Sequence, residues 1–308
     1  MRKQATIDDV AARAGLSIKT VSRVLNGEPN VRPQTRDRVL AAAKELDYHP
    51  NVSARRLASK RSFVIGLLYD DHDPASDYVI GIQNGALDVC RGAGYHLLIQ
   101  PCRSETPNLV DEVIGLYRRS TVDGLILVQP LSDFDPLLTA LLDAEMVFVR
   151  VSQRPCEGPC HCISVDDEQA ARRMTDHLIS LGHRRIGFVA GHPDHGSSHD
   201  RLAGFRSSLE AHDIPVESMP VEEGRYTFES GRACGHRLLV IEPRPTAIFA
   251  SNDHMAMGVI TAARERDLDV PDDVSVCGFD DAPMARYTWP PLTTVRQPVK
   301  LVARFATD

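Results

Sequence analysis

The sequence predicts a small all-α domain at its N-terminal end, followed by a larger α/β core built on parallel sheets. Two observations lead to this fold class. Within the first fifty residues, apolar side chains recur at helical spacing between capping residues. From Phe63 onward, short apolar runs alternate with helical stretches of roughly 15 to 25 residues, which is typical of parallel strands joined by crossover helices.

Charge is distributed unevenly along the 308 residues. The net charge is −7, yet residues 1–61 hold 13 Lys and Arg against 6 Asp and Glu, whereas the remaining chain holds 22 against 36. The basic segment favours a polyanionic partner. No apolar run reaches the roughly 18 residues of a membrane span, and the N-terminus lacks the apolar core of a secretory signal. We therefore expect a cytoplasmic protein whose seven cysteines are reduced.

The first predicted helix begins after Thr6, which is a suitable N-cap because Asp9 stands three residues later. Its apolar positions repeat at i, i+3, i+4 and i+7, namely Ile7, Val10, Ala11 and Ala14. Gly15 is suited to a left-handed end of this helix, and Ser17 is suited to the N-cap of the next.

The second predicted helix lies within LSIKTVSRVLNG, residues 16–27. Its apolar stripe would be Ile18, Val21, Val24 and Leu25, and its polar face would carry Lys19, Thr20, Ser22 and Arg23. Two short helices joined by a three-residue turn with Gly form a helix-turn-helix, whose second helix enters the major groove of DNA.

A third helix is predicted from Pro33, and it would close a three-helix core. Its apolar positions are Val39, Leu40, Ala43 and Leu46. A helical bundle that binds only other proteins is the alternative, but it explains neither the basic charge nor the donor-rich face of the second helix.

The segment NVSARRLASKRS, which follows Pro50, contains a single large apolar residue, Leu57. Leu57 can dock on a neighbouring domain, or it can act as an apolar wedge in the minor groove of DNA. The segment by itself favours docking.

Several motifs resemble the lactose-repressor (LacI/GalR) family. They are TIDDVAARAGLSIKTVSRVLNG, VRPQTRDRVLAAAKELDYHPN, ARRLASKRS, IGLL, VDGLI, LGHRRIGFVAG, RLAGF, SNDHMAMGV, PDDVSVCGFDD and PPLTTVRQP. They extend over nearly the whole chain in a specific order. The resemblance implies a homodimeric, nucleoid-associated repressor with a helix-turn-helix domain at 1–50 and a hinge helix at 51–61. The paired hinges would insert Leu57 into a pseudo-palindromic operator.

The resemblance also implies roles for individual head residues. Bases would be contacted by Ile18, Lys19 and Arg23. Phosphates would be held mainly by Thr6, Ser17, Thr20, Ser22, Asn26 and Asn30.

The predicted strands of the core are FVIGLLY, YHLLIQ, GLILVQ, MVFVR, CISV, RIGFVAG, AIFAS and VSVCGF. Parallel sheets bind ligands at the carboxyl ends of their strands. Polar residues follow three of these runs, namely Asp70, Asn252, Asp253, Asp280 and Asp281. Their carboxylates and amides suit a sugar-like ligand, and no cofactor is expected. The alternative for each is a helix N-cap.

For the core, the resemblance implies a two-lobed fold like that of periplasmic sugar-binding proteins. Lobe 1 would comprise about 62–164 and 292–308, and lobe 2 about 165–291. The effector would lie between the lobes, bonded by Arg201, Asn252 and Asp280, with Tyr226 against its ring and Tyr78 as a further candidate.

Two clusters suggest other chemistry. Cys156, Cys160, His161 and Cys162 are soft ligands, but their spacing is not a familiar zinc pattern, so we expect a loop of reduced thiols and no metal site. His192, His195 and His199 accompany no catalytic constellation, so we expect them to line or gate the cleft.

The resemblance implies a full helix and a last strand after LTTVRQP, whereas this chain stops at VKLVARFATD, so we expect a helix that has barely begun. Either the sequence is truncated, or the lobe closes differently.

Two other classes of protein compete with the regulator. A solute-binding protein would carry an export signal in place of residues 1–61. A carbohydrate-acting enzyme would need paired carboxylates about 5 to 10 Å apart, whereas Asp280 and Asp281 should diverge.

Overall fold

The computed structural model describes residues 5–25, 29–48, 61–70, 76–120, 122–151 and 160–308. The chain divides into two compact units, Met1–Phe63 and Val64–Asp308, which we call the head and the core. The hinge predicted at 51–61 lies outside the described residues except for Arg61, and so do its Leu57, the phosphate contact Asn26 and Cys156.

Three helices form the described part of the head, as the sequence predicts. They are α1 (Ile7–Ala14), α2 (Ile18–Leu25) and α3 (Pro33–Glu45). Thr6 and Asp9 form a capping box at the start of α1, in which the Thr6 hydroxyl accepts from the Asp9 amide. Gly15 has a φ of 62°, the left-handed conformation that ends α1 and begins the turn into α2.

The three helices of the head pack around a shared cluster of apolar side chains. Val10, Val21 and Val39 are fully buried there. Two predicted core residues are wrong, since Ile18 is 49% exposed and Leu40 is 50% exposed. Ile18 is the first residue of α2 and lies at the edge of the contact. Leu40 is one residue, about 100° of helical rotation, beyond the buried position of Val39.

The second unit, the core, contains two parallel five-stranded sheets. The first has the order β2-β1-β3-β4-β5 and comprises β1 (Val64–Asp70), β2 (His96–Cys102), β3 (Gly124–Val128), β4 (Phe148–Val151) and β5 (His161–Ile163). The second has the order β10-β9-β8-β6-β7 and comprises β6 (Ile186–Ala190), β7 (Val221–Glu223), β8 (Ala247–Ala250), β9 (Ser275–Asp280) and β10 (Thr293–Arg296). All eight predicted strands are confirmed, whereas β7 and β10 were not predicted.

Among the described residues of the core, eight α-helices flank these sheets. They are α4 (Asp77–Ala93), α5 (Leu109–Ser120), α6 (Asp135–Asp143), α7 (Asp167–Ser180), α8 (Gly196–Ala211), α9 (Phe228–Leu238), α10 (Asp253–Arg264) and α11 (Val299–Thr307). Alternate residues of a buried strand serve different faces: Phe249 packs with the cluster of α7 and α8, and Ile248 packs with that of α9 and α10. The two faces of each sheet are therefore both covered by helices, as expected for parallel strands.

We call the first sheet with α4–α6 and α11 lobe 1, and the second sheet with α7–α10 lobe 2. The first crossing between them lies between β5 and α7, at the lobe boundary predicted after residue 164. The second boundary, predicted after residue 291, is wrong, because β10 pairs with β9 in lobe 2 and the chain leaves that lobe only after Arg296. The helix expected to have barely begun is α11, nine residues long, which packs against α4.

One of the cysteine predictions is wrong. Cys160 takes part in a disulfide bond, whereas the other described cysteines, Cys90, Cys102, Cys162, Cys234 and Cys277, form no disulfide bond. An odd total of seven cysteines leaves at least one thiol unpaired, but it does not prevent a single disulfide bond.

The described residues contain neither a cluster of metal-ligating side chains nor a helix that could span a membrane. In that part of the chain, no group of three or more His, Cys, Asp or Glu side chains is placed to hold a metal ion. Every helix there is too short or too polar to cross a bilayer.

Candidate functional site

A cleft of about 490 Å³ lies between the two lobes. It opens at the carboxyl ends of strands from both sheets, where the sequence predicts a ligand site. All six predicted effector-binding residues line it, namely Asp70, Tyr78, Arg201, Tyr226, Asn252 and Asp280. Residues more than 200 positions apart in the chain are therefore brought to one concave surface.

Arg201, on α8, is buried at the floor of this cleft. Its Nε donates to Oδ1 of Asp167 at 3.0 Å, and its Nη1 donates to the backbone carbonyl of Ser251. Its guanidinium carbon lies 3.8 Å from the centre of the Phe279 ring. The ion pair and the ring hold the guanidinium in one orientation, with Nη1 3.9 Å from Oδ1 of Asp280.

Asp280 ends β9 with a φ of 119°, a conformation that side chains other than glycine rarely adopt. Its Oδ1 accepts a hydrogen bond from Nε2 of Gln297 at 2.7 Å. Burial raises the pKa of Asp280 to about 7, although Arg201 opposes the rise. The carboxyl group therefore changes its charge close to neutral pH.

The two strand-end neighbours Asp253 and Asp281 do not line the cleft. Asp253 accepts from the Ala282 amide at 2.7 Å and from the Thr294 hydroxyl. Asp281 accepts from Arg286 and Arg296, so it diverges from Asp280 as the sequence predicts. Both carboxylates organise the loop after β9.

Asn252 is an N-cap and a cleft residue at once. Its Oδ1 accepts from the Met255 amide at 2.9 Å, which caps α10, and its Nδ2 donates to the Tyr226 carbonyl at 2.8 Å. Asn252 can therefore be both the N-cap of a helix and a ligand-binding residue, because its amide carries two N–H groups and only one is used by Tyr226.

Tyr226 projects into the cleft from the loop between β7 and α9. Its φ is 64°, and its ring passes so close to Gly191 that a Cβ there would lie 2.1 Å from Cζ. The His195 ring centre lies 5.3 Å from that of Tyr226. The two rings form an apolar platform on the lobe 2 side.

Tyr78 and Asp70 are the predicted cleft residues that belong to lobe 1. Burial, together with the charge of Asp167, raises the pKa of Tyr78, so its hydroxyl is protonated at neutral pH. Oδ2 of Asp70 accepts from the Ser104 amide at 3.0 Å. Both residues stand opposite the platform and close the cleft from the other side.

Several lining residues were not predicted, among them Gln129, Asp133, Asp167 and Ser197. Of the three histidines expected at the cleft, His192 and His195 line it, whereas His199 bonds to the Pro193 carbonyl instead. Burial and the neighbouring His192 lower the pKa of His195 to about 4, so this ring is neutral at pH 7.

In the head, the predicted DNA-contacting residues in and just before α2 are all exposed or half-buried. Ser17, Ile18 and Lys19 are exposed, and the Ser17 hydroxyl caps α2 by accepting from the Thr20 amide at 3.2 Å. Thr20, Ser22 and Arg23 are half-buried, and Thr6 and Asn30 are exposed. Arg23 extends toward the loop after α2, where its Nη2 lies 3.5 Å from the Asn30 carbonyl.

The head and part of the core each match a known protein family. Residues 6–51 match the bacterial regulatory proteins of the lacI family, and residues 175–308 match the periplasmic binding protein-like domain. The catabolite control protein A of Priestia megaterium is 33% identical over 298 residues, which is 96% of this chain and 88% of that protein. The chain belongs to the LacI family.

Other members of the LacI family are similar to nearly the whole chain. The regulator CelR of Thermobifida fusca is 34% identical over 310 residues, covering 98% of this chain and 90% of the relative. A CelR–cellobiose complex has a TM-score of 0.74 at 32% identity, covering 98% of this chain and 91% of that structure. The lac repressor dimer bound to operator and the anti-inducer ONPF has a TM-score of 0.77 at 31% identity, covering 99% and 91%.

Membership of the LacI family decides among the three classes of function. The chain is a DNA-binding transcriptional regulator, because its relatives over nearly the full length are regulators of transcription. The prediction that it is not an enzyme is confirmed by the same relatives. The matched head excludes a solute-binding protein without a DNA role.

Proposed function

We propose that this regulator binds a neutral, sugar-like molecule in its cleft and that the bound molecule changes its affinity for operator DNA. The observation that carries the proposal is the convergence of the six predicted residues on one cleft between two lobes. Support comes from relatives, since the related CelR structure is a complex with cellobiose.

The polar groups of the cleft suit hydroxyls that both donate and accept. The Gln297 and Arg201 contacts of Asp280 both use Oδ1, which leaves Oδ2 as an acceptor for a ligand hydroxyl. The second N–H of Asn252 is a donor, and the rings of Tyr226 and His195 offer an apolar face. A few convergent polar groups beside an apolar ring surface are typical of small-molecule sites.

For the head, we propose that Ile18, Lys19 and Arg23 contact bases and that Thr6, Ser17, Thr20, Ser22, Asn26 and Asn30 contact phosphates. Two copies of the chain would bind one pseudo-palindromic operator, each with a head at 1–50 and a hinge at 51–61 that carries Leu57. The exposed N-terminus of α2 supports this arrangement, because the first residues of a recognition helix reach the base edges.

A thermal-shift experiment tests the cleft with D-glucose, D-galactose, D-ribose and cellobiose. A sugar at a hundredfold its dissociation constant adds about 2.7 kcal/mol to the free energy of unfolding. We expect one of these sugars to stabilise the parent and to lose its effect in Asp280→Asn. The matched control is Asp281→Asn, which changes the neighbouring carboxylate outside the cleft and should keep the response.

The proposal is wrong if Asp280→Asn responds to the sugar like the parent. The second step measures operator affinity with and without that sugar, on an operator selected from random DNA. If the sugar binds but the operator affinity stays unchanged, the proposed regulation by that sugar is wrong.

A further inference from the structure

A chain of hydrogen bonds crosses the cleft from lobe 1 to lobe 2. Gln129 follows β3 in lobe 1, and its Oε1 accepts from the Ser197 hydroxyl of lobe 2 at 2.9 Å. Ser197 is in the first turn of α8, and its Oγ also lies 3.2 Å from the Tyr226 hydroxyl oxygen. The ligand platform of lobe 2 is therefore connected to a side chain of the other lobe.

The lobe 1 end of this chain is an ion pair. Nη2 of Arg150 donates to Oδ1 of Asp133 at 2.8 Å, and the two side chains are only 5% and 4% exposed. Nε of Arg150 donates to the Ser132 carbonyl at 2.6 Å, which fixes the guanidinium. In these contacts the Asp133 side chain accepts hydrogen bonds and donates none.

The Asp133 carboxylate sets the orientation of the Gln129 amide. Nε2 of Gln129 donates to Oδ2 of Asp133 at 3.3 Å, and the flipped amide would place two oxygens against each other. Oε1 must therefore face Ser197. Because a hydroxyl has one proton, Ser197 donates it to Gln129 and can only accept from Tyr226.

The Tyr226 hydroxyl must then donate its own proton to Ser197. Burial raises the pKa of Tyr226, so the group holds that proton at neutral pH. The close approach to Gly191 and the bond from Asn252 to the Tyr226 carbonyl keep the ring in place. The oxygen therefore has lone pairs, and no proton, for anything that enters the cleft.

We propose that the Tyr226 oxygen acts only as a hydrogen-bond acceptor toward the cleft, so that the ligand group facing it must be a donor, and that Gln129 is the positioning residue that imposes this requirement from the other lobe. The requirement on the ligand rests on the proposed function, since it presupposes a small molecule against Tyr226. The direction of the hydrogen bonds does not, because it follows from the protein groups alone.

Neutron diffraction from crystals of the unliganded, deuterated protein tests the direction without any ligand. We expect the Ser197 deuteron to point at Oε1 of Gln129 and the Tyr226 deuteron to point at Oγ of Ser197. A Ser197 deuteron directed at Tyr226, or a Tyr226 deuteron directed into the cleft, overturns the proposal.

Binding of analogues tests the requirement on the ligand. The probes are D-glucose and D-galactose with their 2-, 3-, 4- and 6-deoxyfluoro analogues, in which fluorine removes the proton of one hydroxyl. Fluorine should weaken binding to the parent by about 10- to 100-fold at each position whose hydroxyl faces a buried acceptor, Asp280 included, because an unpaired buried acceptor costs about 1 to 3 kcal/mol. The penalty at the position facing Tyr226 is the one that depends on Gln129. In Gln129→Met the Ser197 proton is released, and that penalty should fall to a few-fold.

Two further variants separate direction from a general loss of structure. In Gln129→Glu the new carboxyl faces the Asp133 carboxylate, so the pair should hold a proton between them. The other oxygen of the new carboxyl then accepts from Ser197, and the variant should retain the parent penalty. Gln100→Met makes the same substitution as Gln129→Met in lobe 1, away from the cleft, and should also behave like the parent. An equal fluoro penalty in the parent and in Gln129→Met overturns the role of Gln129. If neither sugar stabilises the parent, their assignment as ligands fails, while the neutron result still decides the direction.

Discussion

The guanidinium of Arg201 lies between the Asp167 carboxylate, 3.0 Å from its Nε, and the Phe279 ring, 3.8 Å from its central carbon. The Arg201 and Asp167 side chains are 5% and 1% exposed, so each neutralises a charge that water does not reach. This pair is a structural support of lobe 2 as well as part of the cleft floor.

Arg201→Met should therefore lower the free energy of unfolding by about 3 to 5 kcal/mol, because it leaves Asp167 buried without its partner. Urea unfolding of the parent, Arg201→Met, Asp167→Asn and the double variant measures this. The double variant should lose less than the two single losses added together. Additive losses would mean that the two side chains stabilise lobe 2 independently.

The charge on Asp280 should make stability depend on pH. Its folded pKa is about 7, above the unfolded value of about 3.9, so between these values the folded state binds a proton that the unfolded state has lost. The contribution of Asp280 to the free energy of unfolding should then fall as pH rises from about 4 to 7, by about 3 to 4 kcal/mol at most, while His195, with its lowered pKa, contributes in the opposite direction. The difference in the free energy of unfolding between the parent and Asp280→Asn, measured in urea at pH 5 and pH 8, isolates the Asp280 contribution.

The control for this pH dependence is the neighbouring carboxyl. Burial opposes the shift, yet the hydrogen bonds from Arg296 and Arg286 lower the pKa of Asp281. Its stabilisation is present at neutral pH and is lost as pH falls through that lowered value, so Asp281→Asn should destabilise at pH 8 and leave the slope between pH 5 and 8 intact. A flattened slope in Asp281→Asn alone would contradict the assignment to Asp280.

Asn252 should affect stability through two separable bonds. Asn252→Ala removes the cap of α10 and the bond to the Tyr226 carbonyl, and we expect a loss of about 1 to 3 kcal/mol. Asn252→Ser keeps a capping oxygen but cannot reach Tyr226 as the amide does, so it should recover about 1 kcal/mol of that loss in urea unfolding. Equal losses for Ala and Ser would show that capping contributes little at this position.

Arg23 should carry base preference in the head. On a selected operator, Arg23→Ala should weaken binding by about 1 to 3 kcal/mol and relax the preference at one base pair, because an Arg can donate to two acceptors of a guanine. Fluorescence anisotropy at fixed salt measures both quantities. The matched variant is Arg13→Ala, since Arg13 is paired with Glu45 on α3 and should change the preference little. An unchanged preference in Arg23→Ala would remove it from the base-contacting set.

Strand positions in the core were predictable where burial on both faces produces an apolar run. β7 has the sequence VEE and β10 has TTVR, so neither short edge strand contains such a run. β10 is also the strand on which the second crossing depends, which is why that boundary was placed too early. The caps at Thr6, Gly15 and Ser17 identified the head helices because each acts within four residues of itself.

The cleft was predictable in part. The strand-end rule selects Asp70, Asn252 and Asp280, yet it selects Asp253 and Asp281 equally, and only the fold shows that these two serve the loop after β9. The resemblance added Tyr78, Arg201 and Tyr226. The bond between Gln129 and Ser197 joins residues 68 positions apart on different lobes, so no local pattern in the sequence indicates it.

The packing of α11 on α4 has a consequence for the order of folding. An added Cβ on Gly85 of α4 would lie 2.6 Å from the Ala303 Cβ, so these helices meet at backbone distance, although about 200 residues, among them all of lobe 2, separate them in the chain. At a synthesis rate of about 5 to 20 residues per second, α4 waits roughly 10 to 40 s for its partner to be made. During that interval every strand of lobe 2 is synthesised, while the groove of α4 still lacks the helix that fills it. Lobe 1, although it begins first, is therefore completed last, and its unfinished groove is the surface that chaperones would meet on the nascent chain.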